Sequence, residues 1–431
     1  MNQNKKLLIM TSILLVMTLL ATACGGGGAA APDGGGGGGG SRADMTFEDA
    51  PIKWTMQSIW APSITLWRGD KYIVDAINRM ALGELYIEYN PGGALVTTSD
   101  ELFDAISTGA LDMGTDWPSY WEGRNTAFTL ITSTPMVLTP GDYMLWYWQA
   151  GGLELAQQLY DKYNIVWYPH SVTGAESGQR TNVPIYELDD YSGLKLRQCG
   201  RTQALILEKM GAGAIFMPGA DIYLSLDRGV IDGGEFSVPE CDWNMAFQEV
   251  TKYNVTPGWH QPGPISGIMI NKDSFNALPD HVKYLFKEAA MSSMMWSWTY
   301  FEYSTIQYNQ KFKDAGTQIS RLSDDALSQI QQIAWDQVLE DARENPDHAR
   351  IAFSQVKYLY EFQEPRDMQA PFTFGRNPEG LNEVYAELEQ IAKDHGVYQD
   401  VIDIEASLRE RMEAQEQWEP GTPYVLNPIA Q

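Results

Sequence analysis

The sequence IKWTMQ at residues 52–57 leads into KYIVDAINRM at 71–80 and then into LYIEY at 85–89. The first and third runs are short and rich in β-branched and aromatic residues. The middle run has apolar residues at the three- and four-residue spacing of a helix. A strand, a helix and a strand in this order predict a parallel sheet with covering helices. We therefore expect an α/β protein.

One fourteen-residue pattern occurs twice, as ELFDAISTGALDMG at 101–114 and as DIYLSLDRGVIDGG at 221–234. Each copy predicts a helix that ends at a glycine and is followed by a short strand. The repeat favours two equivalent α/β units, one in each of two lobes, and chance convergence on a common unit is the alternative. The copies share glycine, aspartate and glycine at matching positions, which are Gly109 and Gly229, Asp112 and Asp232, and Gly114 and Gly234.

The composition of the chain excludes two classes of protein. The 431 residues include 30 Lys and Arg against 56 Asp and Glu, a formal net charge of −26. A surface with this charge repels phosphate backbones, so we expect no nucleic-acid partner. The hydrophobic content of 44% and the aromatic content of 12% exclude a disordered acidic chain.

The N-terminal residues predict export and a lipid anchor. Lys5 and Lys6 precede an apolar run at 7–21 that is shorter than the about 20 residues of a membrane span, and Cys24 follows small residues. We interpret residues 1–23 as a lipoprotein signal peptide and residues 24–50 as a lipidated Cys24 with a glycine-rich tether. The predicted location is the periplasm or cell surface, with attachment to a membrane. An ordinary signal peptide with an incidental cysteine is the alternative.

The region after residue 275 predicts long helices. Helical patterns occupy 275–316, 324–344, 381–393 and 401–415, with Ser323 as an N-cap and a strand at 318–320. The Met- and Trp-rich run 291–298 predicts either a buried helix or the surface of a homodimer.

Familiar catalytic and metal motifs do not occur in the sequence. It contains no HExxH, CxxC, GxSxG or Walker A pattern, and no GxGxxG pattern outside the glycine run at 34–40. Glu235 and Glu240 could form the acid and base of a secreted carbohydrate-active hydrolase, which is the alternative of another class. Cys199 and Cys241 are either a disulfide or two buried free thiols.

Arg197 is the first candidate binding residue. It ends the apolar run GLKLR at 193–197, which predicts a strand. Open α/β sheets bind ligands at the carboxyl ends of their strands, and a planar guanidinium is suited to two hydrogen bonds with a carboxylate. The alternative is a solvated charge at a strand end.

Aromatic and polar residues near the predicted strand ends are further candidates. Gln57 and Trp60 follow the first strand, and Trp117 follows the first copy of the repeat, where these side chains could line a ligand pocket. Core packing is the alternative for each. Trp259 is a similar candidate, and His260 could donate to a carboxylate or 2-oxo oxygen or could simply belong to a turn between prolines.

Several motifs together resemble a known family. GLKLR at 193–197 is followed by a helix, by MGA at 210–212, by Pro218 and by IYLSLDRGVIDGGE at 222–235. This order resembles the DctP family of solute-binding subunits of tripartite ATP-independent periplasmic (TRAP) transporters, over residues 52–362. The stretch PGWHQPGP at 257–264 is similar to the branch that binds 2-oxo acids and related monocarboxylates.

The resemblance implies a fold and a function. The fold is a two-lobed, type II periplasmic-binding-protein-like fold with a long hinge-spanning helix and extra C-terminal helices. The lobes close around a small organic acid and deliver it to membrane permease subunits, without catalysis. The implied division has four parts, which are lobe I at 51–170, completed by about 243–282; lobe II at 171–242; long helices packing on both lobes at 283–362; and an acidic C-terminal extension at 363–431.

The resemblance also implies a binding site. Arg197 matches the arginine that holds the substrate carboxylate. A cation bridges protein and substrate in the 2-oxo-acid branch, and its ligands match Glu176, Glu235 and the backbone carbonyl of Phe236. That branch commonly has Gln in place of Glu176 and Trp in place of Phe236. The additional carboxylate favours Ca²⁺ over Na⁺. The 14 Trp residues leave a sugar or sugar acid as the alternative ligand.

Overall fold

The computed structural model describes residues 50–369 and 378–416. The predicted signal peptide, Cys24 and all of the tether up to residue 49 lie outside these residues. None of the described helices is both long enough and apolar enough to cross a membrane. The described part of the chain contains two sheets, so the α/β prediction is confirmed.

The first sheet has five strands in the order β2-β1-β3-β10-β4. β1 runs parallel to both β2 and β3, and β10 runs antiparallel to β3 and β4. We call this sheet and the helices packed on it the first lobe. Its strands are β1 (Ile52–Gln57), β2 (Leu85–Asn90), β3 (Met113–Asp116), β4 (Ile165–Val172) and β10 (Ile265–Asn271).

The second sheet has six strands in the order β11-β9-β5-β8-β6-β7. β6 runs parallel to β7 and β8, whereas β5 runs antiparallel to β8 and β9. We call this sheet and its helices the second lobe. Its strands are β5 (Gln179–Thr181), β6 (Lys195–Arg197), β7 (Gly213–Ile215), β8 (Gly233–Gly234), β9 (Tyr253–Thr256) and β11 (Gln318–Arg321).

The helices cover the sheets and form the C-terminal part of the described chain. In chain order they are α1 (Trp67–Met80), α2 (Ser99–Thr108), α3 (Phe128–Thr132), α4 (Pro140–Gln149), α5 (Gly152–Tyr160), α6 (Arg201–Lys209), α7 (Gly219–Asp227), α8 (Pro239–Asn244), α9 (Phe247–Val250), α10 (Lys272–Asn276), α11 (Asp280–Asp314), α12 (Asp324–Glu344), α13 (Pro346–Gln369), α14 (Pro378–Asp394) and α15 (Tyr398–Glu416).

The repeated motif forms one unit in each lobe, as predicted. α2 and α7 each end near a glycine in the left-handed region, and each leads into a strand inside its sheet. The repeated aspartates have the same role. Asp112 accepts a hydrogen bond from the Thr55 amide of β1 (2.9 Å), and Asp232 accepts one from the Lys195 amide of β6 (2.8 Å). Each carboxylate therefore ties its strand to the neighbouring parallel strand.

Three strand-to-strand connections run between the lobes. Residues 173–178 join β4 to β5, residues 257–264 join β9 to β10, and α11 leads from the first lobe to β11. α11 has 35 residues, which corresponds to about 52 Å. It contacts β4 and α1 in the first lobe and α8 in the second. This is the predicted hinge-spanning helix.

Two strands of the second sheet come from parts of the chain that the sequence did not assign to the second lobe. β9 falls within residues 243–282, which we expected to complete the first lobe. β11 was predicted as a strand at 318–320, but in the part of the chain assigned to long helices that pack on both lobes. Both strands pair by backbone hydrogen bonds with register partners far away in sequence. Local pattern does not contain that pairing, so these sheet positions were not predicted.

Most of the tryptophans described here serve the core of the first lobe. Trp54, Trp121, Trp146 and Trp167 are buried in one hydrophobic cluster. The same cluster extends to α14, through residues such as Leu388, so the C-terminal extension packs on this lobe. The run 291–298 lies within α11 and is partly buried. It buries Met294 and exposes about half of Met295.

Candidate functional site

Four of the residues that the sequence marked as a site come together at the junction of the two lobes. Arg197 ends β6, and Glu235 follows β8, its neighbour in the second sheet. Glu176 lies in the first inter-lobe connection, and His260 lies in the second. All four side chains are buried. The carboxyl ends of two parallel strands, β6 and β8, therefore face the two loop connections between the lobes, at 173–178 and 257–264.

A glycine allows the two connections to approach closely. A Cβ atom on Gly258 would lie 2.3 Å from the Glu176 carbonyl oxygen and 3.0 Å from the Gly178 amide nitrogen. Backbone atoms cannot move aside as a flexible side chain can, so only glycine fits at position 258. This contact brings His260, two residues later, against Glu176.

Arg197 and Glu235 form a buried ion pair. Nη1 of Arg197 donates to the Glu235 side chain at 2.8 Å and to the Glu235 carbonyl at 2.7 Å, and Nε donates to the Met217 carbonyl at 3.2 Å. Burial is the largest single effect and opposes the charge on Arg197, but Glu235 together with Cys199, Tyr120 and Glu176 outweighs it, so the pKa of Arg197 is raised. The guanidinium is therefore a fixed positive charge.

Glu176, Glu235 and His260 form a cluster of three potential metal ligands. One donor atom from each lies within 4.8 Å of the other two. Nε2 of His260 is 2.8 Å from Oε2 of Glu176 and 3.9 Å from Oε2 of Glu235. Oε1 of Glu176 and Oε2 of Glu235 are buried and have no hydrogen-bond partner among the described residues. Such unpartnered oxygens are costly unless a ligand binds them.

Burial and mutual repulsion control the charges in this cluster. Burial, and then the nearby carboxylates of Glu235 and Asp242, raise the pKa of Glu176 well above its ordinary value. Burial lowers the pKa of His260, so its imidazole is neutral. A neutral imidazole and closely spaced carboxylates are the donor set that a cation recognises, because the imidazole retains a lone pair and the carboxylates retain their attraction for positive charge.

A small cavity lies beside Arg197 and is lined by residues of both lobes. The space open to the centre of a water molecule is about 10 Å³, close to the minimum that one water needs. Trp60 and Trp117 meet edge to face in its wall, with ring centroids 5.6 Å apart. The lining residues are Trp60, Leu66, Trp117, Tyr120, Arg197, Cys199, Phe236 and Gln261.

Two of the sequence candidates lie elsewhere. The Gln57 amide donates to the Val96 carbonyl (3.0 Å) and accepts from the Leu95 amide (2.6 Å), so it fastens a loop of the first lobe. Trp259 is packed in a hydrophobic cluster of the second lobe, and its Nε1 donates to the Tyr191 hydroxyl (3.4 Å). Neither residue lines the cavity. Both are packed inside the protein, which was the alternative to a role in binding.

Sequence reasoning missed several residues of the cavity wall. Tyr120 and Gln261 were not candidates, although each is close in sequence to one, Trp117 and His260 respectively. Proximity to those candidates was the available signal. Leu66 gave no signal because an apolar residue before a helix is unremarkable in sequence.

The structure bears on two further alternatives from the sequence, the disulfide and the acid–base couple of a hydrolase. Cys199 and Cys241 are both free and buried, so the disulfide alternative is wrong. Glu240 accepts a hydrogen bond from Arg68 at 2.7 Å, and Glu235 is paired with Arg197. Both carboxylates are thus engaged with arginines, which does not favour the acid–base couple of a hydrolase.

Glu122 makes a contact between the lobes. It follows the 3₁₀ turn Pro118–Trp121 of the first lobe and accepts hydrogen bonds from the Thr202 amide (2.9 Å) and hydroxyl (3.3 Å) in the first turn of α6. A carboxylate is favourable at a helix N-terminus. Burial nevertheless raises the pKa of Glu122 to about 7, although Thr202, Thr129 and Arg201 lower it.

A known protein family matches most of the length of this chain. The model of the DctP family, described as bacterial extracellular solute-binding protein, family 7, matches residues 56–345. The chain belongs to this family. DctP proteins are extracytoplasmic receptors of TRAP transporters that bind small organic acids and work with membrane permease subunits; they are not enzymes.

This DctP protein is similar to a curated relative and to three solved structures. A monocarboxylate 2-oxoacid-binding periplasmic protein of Nostoc sp. is 27% identical over 305 residues, covering 71% of this chain and 82% of the relative. A Bordetella bronchiseptica TRAP protein with calcium and picolinate has a TM-score of 0.70 at 24% identity and covers 79% of this chain and 99% of that one.

Two pyruvate complexes follow. A Colwellia psychrerythraea TRAP protein with calcium and pyruvate has a TM-score of 0.69 at 25% identity, covering 74% of this chain and 97% of that one. A Pseudoalteromonas atlantica protein with sodium and pyruvate has a TM-score of 0.67 at 23% identity, with the same coverage of 74% and 97%. The two-lobed fold of this DctP protein is that of these structures.

The pKa of Glu122 predicts a pH dependence of stability for this DctP protein. A glutamate in an unfolded chain has a pKa near 4.3, so folding takes up a proton between about pH 4.3 and 7. We expect the free energy of unfolding of the wild type, relative to Glu122→Gln, to rise on the order of 2 kcal/mol from pH 8 to pH 5. Urea titrations at the two pH values measure this difference.

The exposed Glu88 supplies the control. Glu88→Gln should show the same pH dependence as the wild type. If Glu122→Gln also follows the wild type in parallel between pH 8 and pH 5, Glu122 does not take up the proton.

Proposed function

We propose that this chain binds a 2-oxo or 2-hydroxy monocarboxylate, such as pyruvate or lactate, together with a divalent cation, and delivers it to the permease subunits of a TRAP transporter. The observation that carries the proposal is a fixed guanidinium, Arg197, that lines a small inter-lobe cavity beside a buried cluster of cation ligands. A carboxylate on Arg197 and a neighbouring 2-oxo or 2-hydroxy oxygen on the cation would satisfy both groups.

Arg197 is suited to hold the carboxylate. Nη1 and Nε are engaged by the Glu235 side chain and by two backbone carbonyls, which fixes the plane of the guanidinium. These three hydrogen bonds use Nε and Nη1, and the side chain lines the cavity. A hydrogen bond between charged groups in such a buried setting is stronger than one between neutral groups.

The charge around the cluster supports a divalent cation. Glu176, Glu235 and Asp242 are three buried acids, against the two buried arginines Arg180 and Arg197. An anionic ligand adds one more negative charge, which a single divalent ion balances when all three acids are ionised. Carboxylate oxygens are ligands that Ca²⁺ binds readily. With a neutral Gln in place of Glu176, as is common in the branch that this chain resembles, the site would carry one negative charge fewer, and a monovalent cation would balance more of it.

The ligands of this cation would be Glu176, Glu235 and the backbone carbonyl of Phe236. The calcium and sodium complexes of the similar TRAP proteins support a cation at this kind of site. Phe236 and Gln261 line the cavity, and they are the sequence neighbours of Glu235 and His260. The cation and the organic acid would thus meet at one wall of the cavity.

The walls of the cavity favour a small ligand. Trp60, Trp117 and Tyr120 close the first-lobe side, and the space between them and Arg197 is about one water in size. A three-carbon acid requires a small opening of the lobes, whereas a sugar acid requires a larger one. A Sulfitobacter sp. TRAP protein with β-d-galacturonate has a TM-score of 0.60 at 19% identity, covering 69% of this chain and 97% of that one. A sugar acid therefore stays the second candidate.

Two parts of the proposal concern regions and surfaces around the site. We assign residues 51–170 to the first closing lobe and residues 171–242 to the second. Of the residues at about 243–282, β10 belongs to the first lobe, whereas β9, like β11, belongs to the second sheet. A homodimer contact would use the exposed face of α11, where Met295 and Tyr303 are 51% and 78% exposed.

Arg197→Ala tests the anion site. Loss of a charge-assisted hydrogen bond in a buried site costs about 1.5–3 kcal/mol, so pyruvate and lactate affinity should fall at least ~10-fold and up to ~100-fold in calorimetric titrations. Arg228→Ala, which removes an exposed arginine of the same lobe, should leave the affinity unchanged. Unchanged affinity of Arg197→Ala for pyruvate and lactate would contradict the assignment of Arg197 to the carboxylate. Binding of galacturonate but not pyruvate by the wild type would favour the sugar acid, the second candidate.

Removal of the cation tests the second half of the site. After treatment with EDTA and gel filtration, pyruvate binding should be lost and should return on addition of Ca²⁺ but not of Na⁺ alone, because the site carries two carboxylates. In Glu176→Gln the preference for Ca²⁺ over Na⁺ should weaken, whereas the exposed Glu88→Gln should keep it. Pyruvate affinity that is the same with and without EDTA, in protein free of metal, contradicts the proposal.

A lipid on Cys24 is the proposed anchor, with export directed by residues 1–23. We expect the wild-type protein to fractionate with bacterial membranes and to enter the detergent phase of a detergent–water partition, since the acyl chains bury apolar surface. Cys24→Ser should move it to the aqueous phase. The anchor proposal fails if both forms partition alike.

A further inference from the structure

We propose that Phe216 is a further residue of the binding site, a gate that covers the mouth of the inter-lobe cavity and controls how fast a bound organic acid leaves it. The inference rests on the proposed function, because it takes the cavity beside Arg197 as the ligand site. It adds a residue with a kinetic role, which closes the way out of the cavity rather than holding the ligand.

The cavity approaches solvent beside Tyr120. Of the eight residues that line the cavity, seven are buried, and Tyr120 is the one that is partly exposed. Tyr120 belongs to the 3₁₀ turn Pro118–Trp121 of the first lobe. A molecule that leaves the cavity therefore passes the ring of Tyr120 or has to push buried side chains aside.

Phe216 covers this edge of the cavity from the second lobe. It follows β7, and its ring meets the Tyr120 ring edge to face, with centroids 6.5 Å apart and planes at 73°. The ring centroid of Phe216 is also 5.9 Å from Cζ of Arg197, within the range of a cation–π interaction. Phe216 is 63% exposed, whereas Arg197 is buried. One ring is thus in contact with the buried guanidinium, the first lobe and solvent.

Phe216 is the outer end of a row of aromatic rings that reaches the cavity wall. Tyr120 meets Trp60 edge to face, with centroids 6.4 Å apart, and Trp60 meets Trp117 in the same way at 5.6 Å. Single exposed apolar residues are common on protein surfaces and need no function. Phe216 differs from such residues because this row of contacts joins it to the site.

The backbone on both sides of Phe216 is tied to the strand that carries Arg197. The Gln198 amide donates to the Ile215 carbonyl at 3.2 Å, and Nε of Arg197 donates to the Met217 carbonyl at 3.2 Å. Phe216 therefore moves together with Arg197 and the second lobe. When the lobes part, Phe216 loses its contact with the first lobe and keeps its contact with Arg197.

A contact that exists only between closed lobes acts on the release of the ligand. The ligand enters while the lobes are apart, so the pair of Phe216 and Tyr120 has no part in association. The pair has to break before the ligand can leave. An aromatic pair of this geometry is worth a factor of about 2–10 in an equilibrium constant, so it should slow release by about this factor.

Cys199 provides a reporter of access to the cavity that needs no ligand. Its thiol is free and lines the cavity, whereas Cys241 is free and buried but is not among the lining residues. In the full chain without organic acid, methyl methanethiosulfonate should modify Cys199 about 2- to 10-fold faster in Phe216→Ala than in the wild type. The rate at Cys241 should stay the same, and peptide mapping by mass spectrometry separates the two thiols.

Two further variants serve as controls for the labelling. Leu224→Ala removes another exposed apolar side chain of the same lobe and should leave the rate at Cys199 unchanged. Phe216→Tyr keeps the ring and should label at the wild-type rate.

The release of pyruvate is the second readout. In stopped-flow measurements on the Ca²⁺-loaded full chain, pyruvate should dissociate about 2- to 10-fold faster from Phe216→Ala, with an unchanged association rate. In the background of Tyr120→Leu, where the pair is already lost, Phe216→Ala should have little further effect on release.

The outcomes separate this inference from the proposed function. An unchanged labelling rate at Cys199 in Phe216→Ala overturns the gate, and so does an equal increase at Cys199 and Cys241, which would report a general loosening of the fold. Effects on release that multiply in the double variant also overturn it. If Cys199 responds as expected but the wild type binds no pyruvate with any cation, the gate stands and the proposed ligand fails.

Discussion

The site depends on two carboxylates, Glu176 and Glu235, that are buried side by side at the junction of the lobes. Water cannot solvate them there, and Arg197 neutralises only one of them. Removing Arg197 would leave the Glu235 carboxylate as an uncompensated charge in the interior, which is strongly destabilising. Under the proposed function, a bound cation would stabilise this geometry and would at the same time give it affinity for an anion.

The same junction links binding to closure. Glu176 and His260 belong to the two loops that connect the sheets, and Arg197 and Glu235 end strands of the second lobe. A ligand that contacts these residues and the aromatic wall of the first lobe bridges both halves of the molecule, so it favours the closed state by its contacts in that state. The net charge of −26 has little part in this, because salt screens surface charges beyond about 8–10 Å.

Local pattern predicted the parts of the fold whose causes are local. The helix that ends at Gly109 before β3, and the cap that Ser323 provides to α12, follow from backbone rules that act within a few residues. The position of β9 in the second sheet was not predicted, because its partners β5 and β11 are about 70 residues away on either side. Gln57 was misread for a similar reason, since its partners are in a loop 38 residues later.

The sequence by itself determined the class of fold, the two equivalent units and the placement of Arg197 at a strand end, because strand patterns and helix-ending glycines depend on residues that are neighbours in sequence. Only the tertiary structure decided that His260 lies against Glu176, that Trp60 and Trp117 line a cavity and that Trp259 is packed elsewhere. The physical reason is distance along the chain. Glu176 and His260 are 84 positions apart and become hydrogen-bond partners only when the two loop connections that carry them are folded against each other.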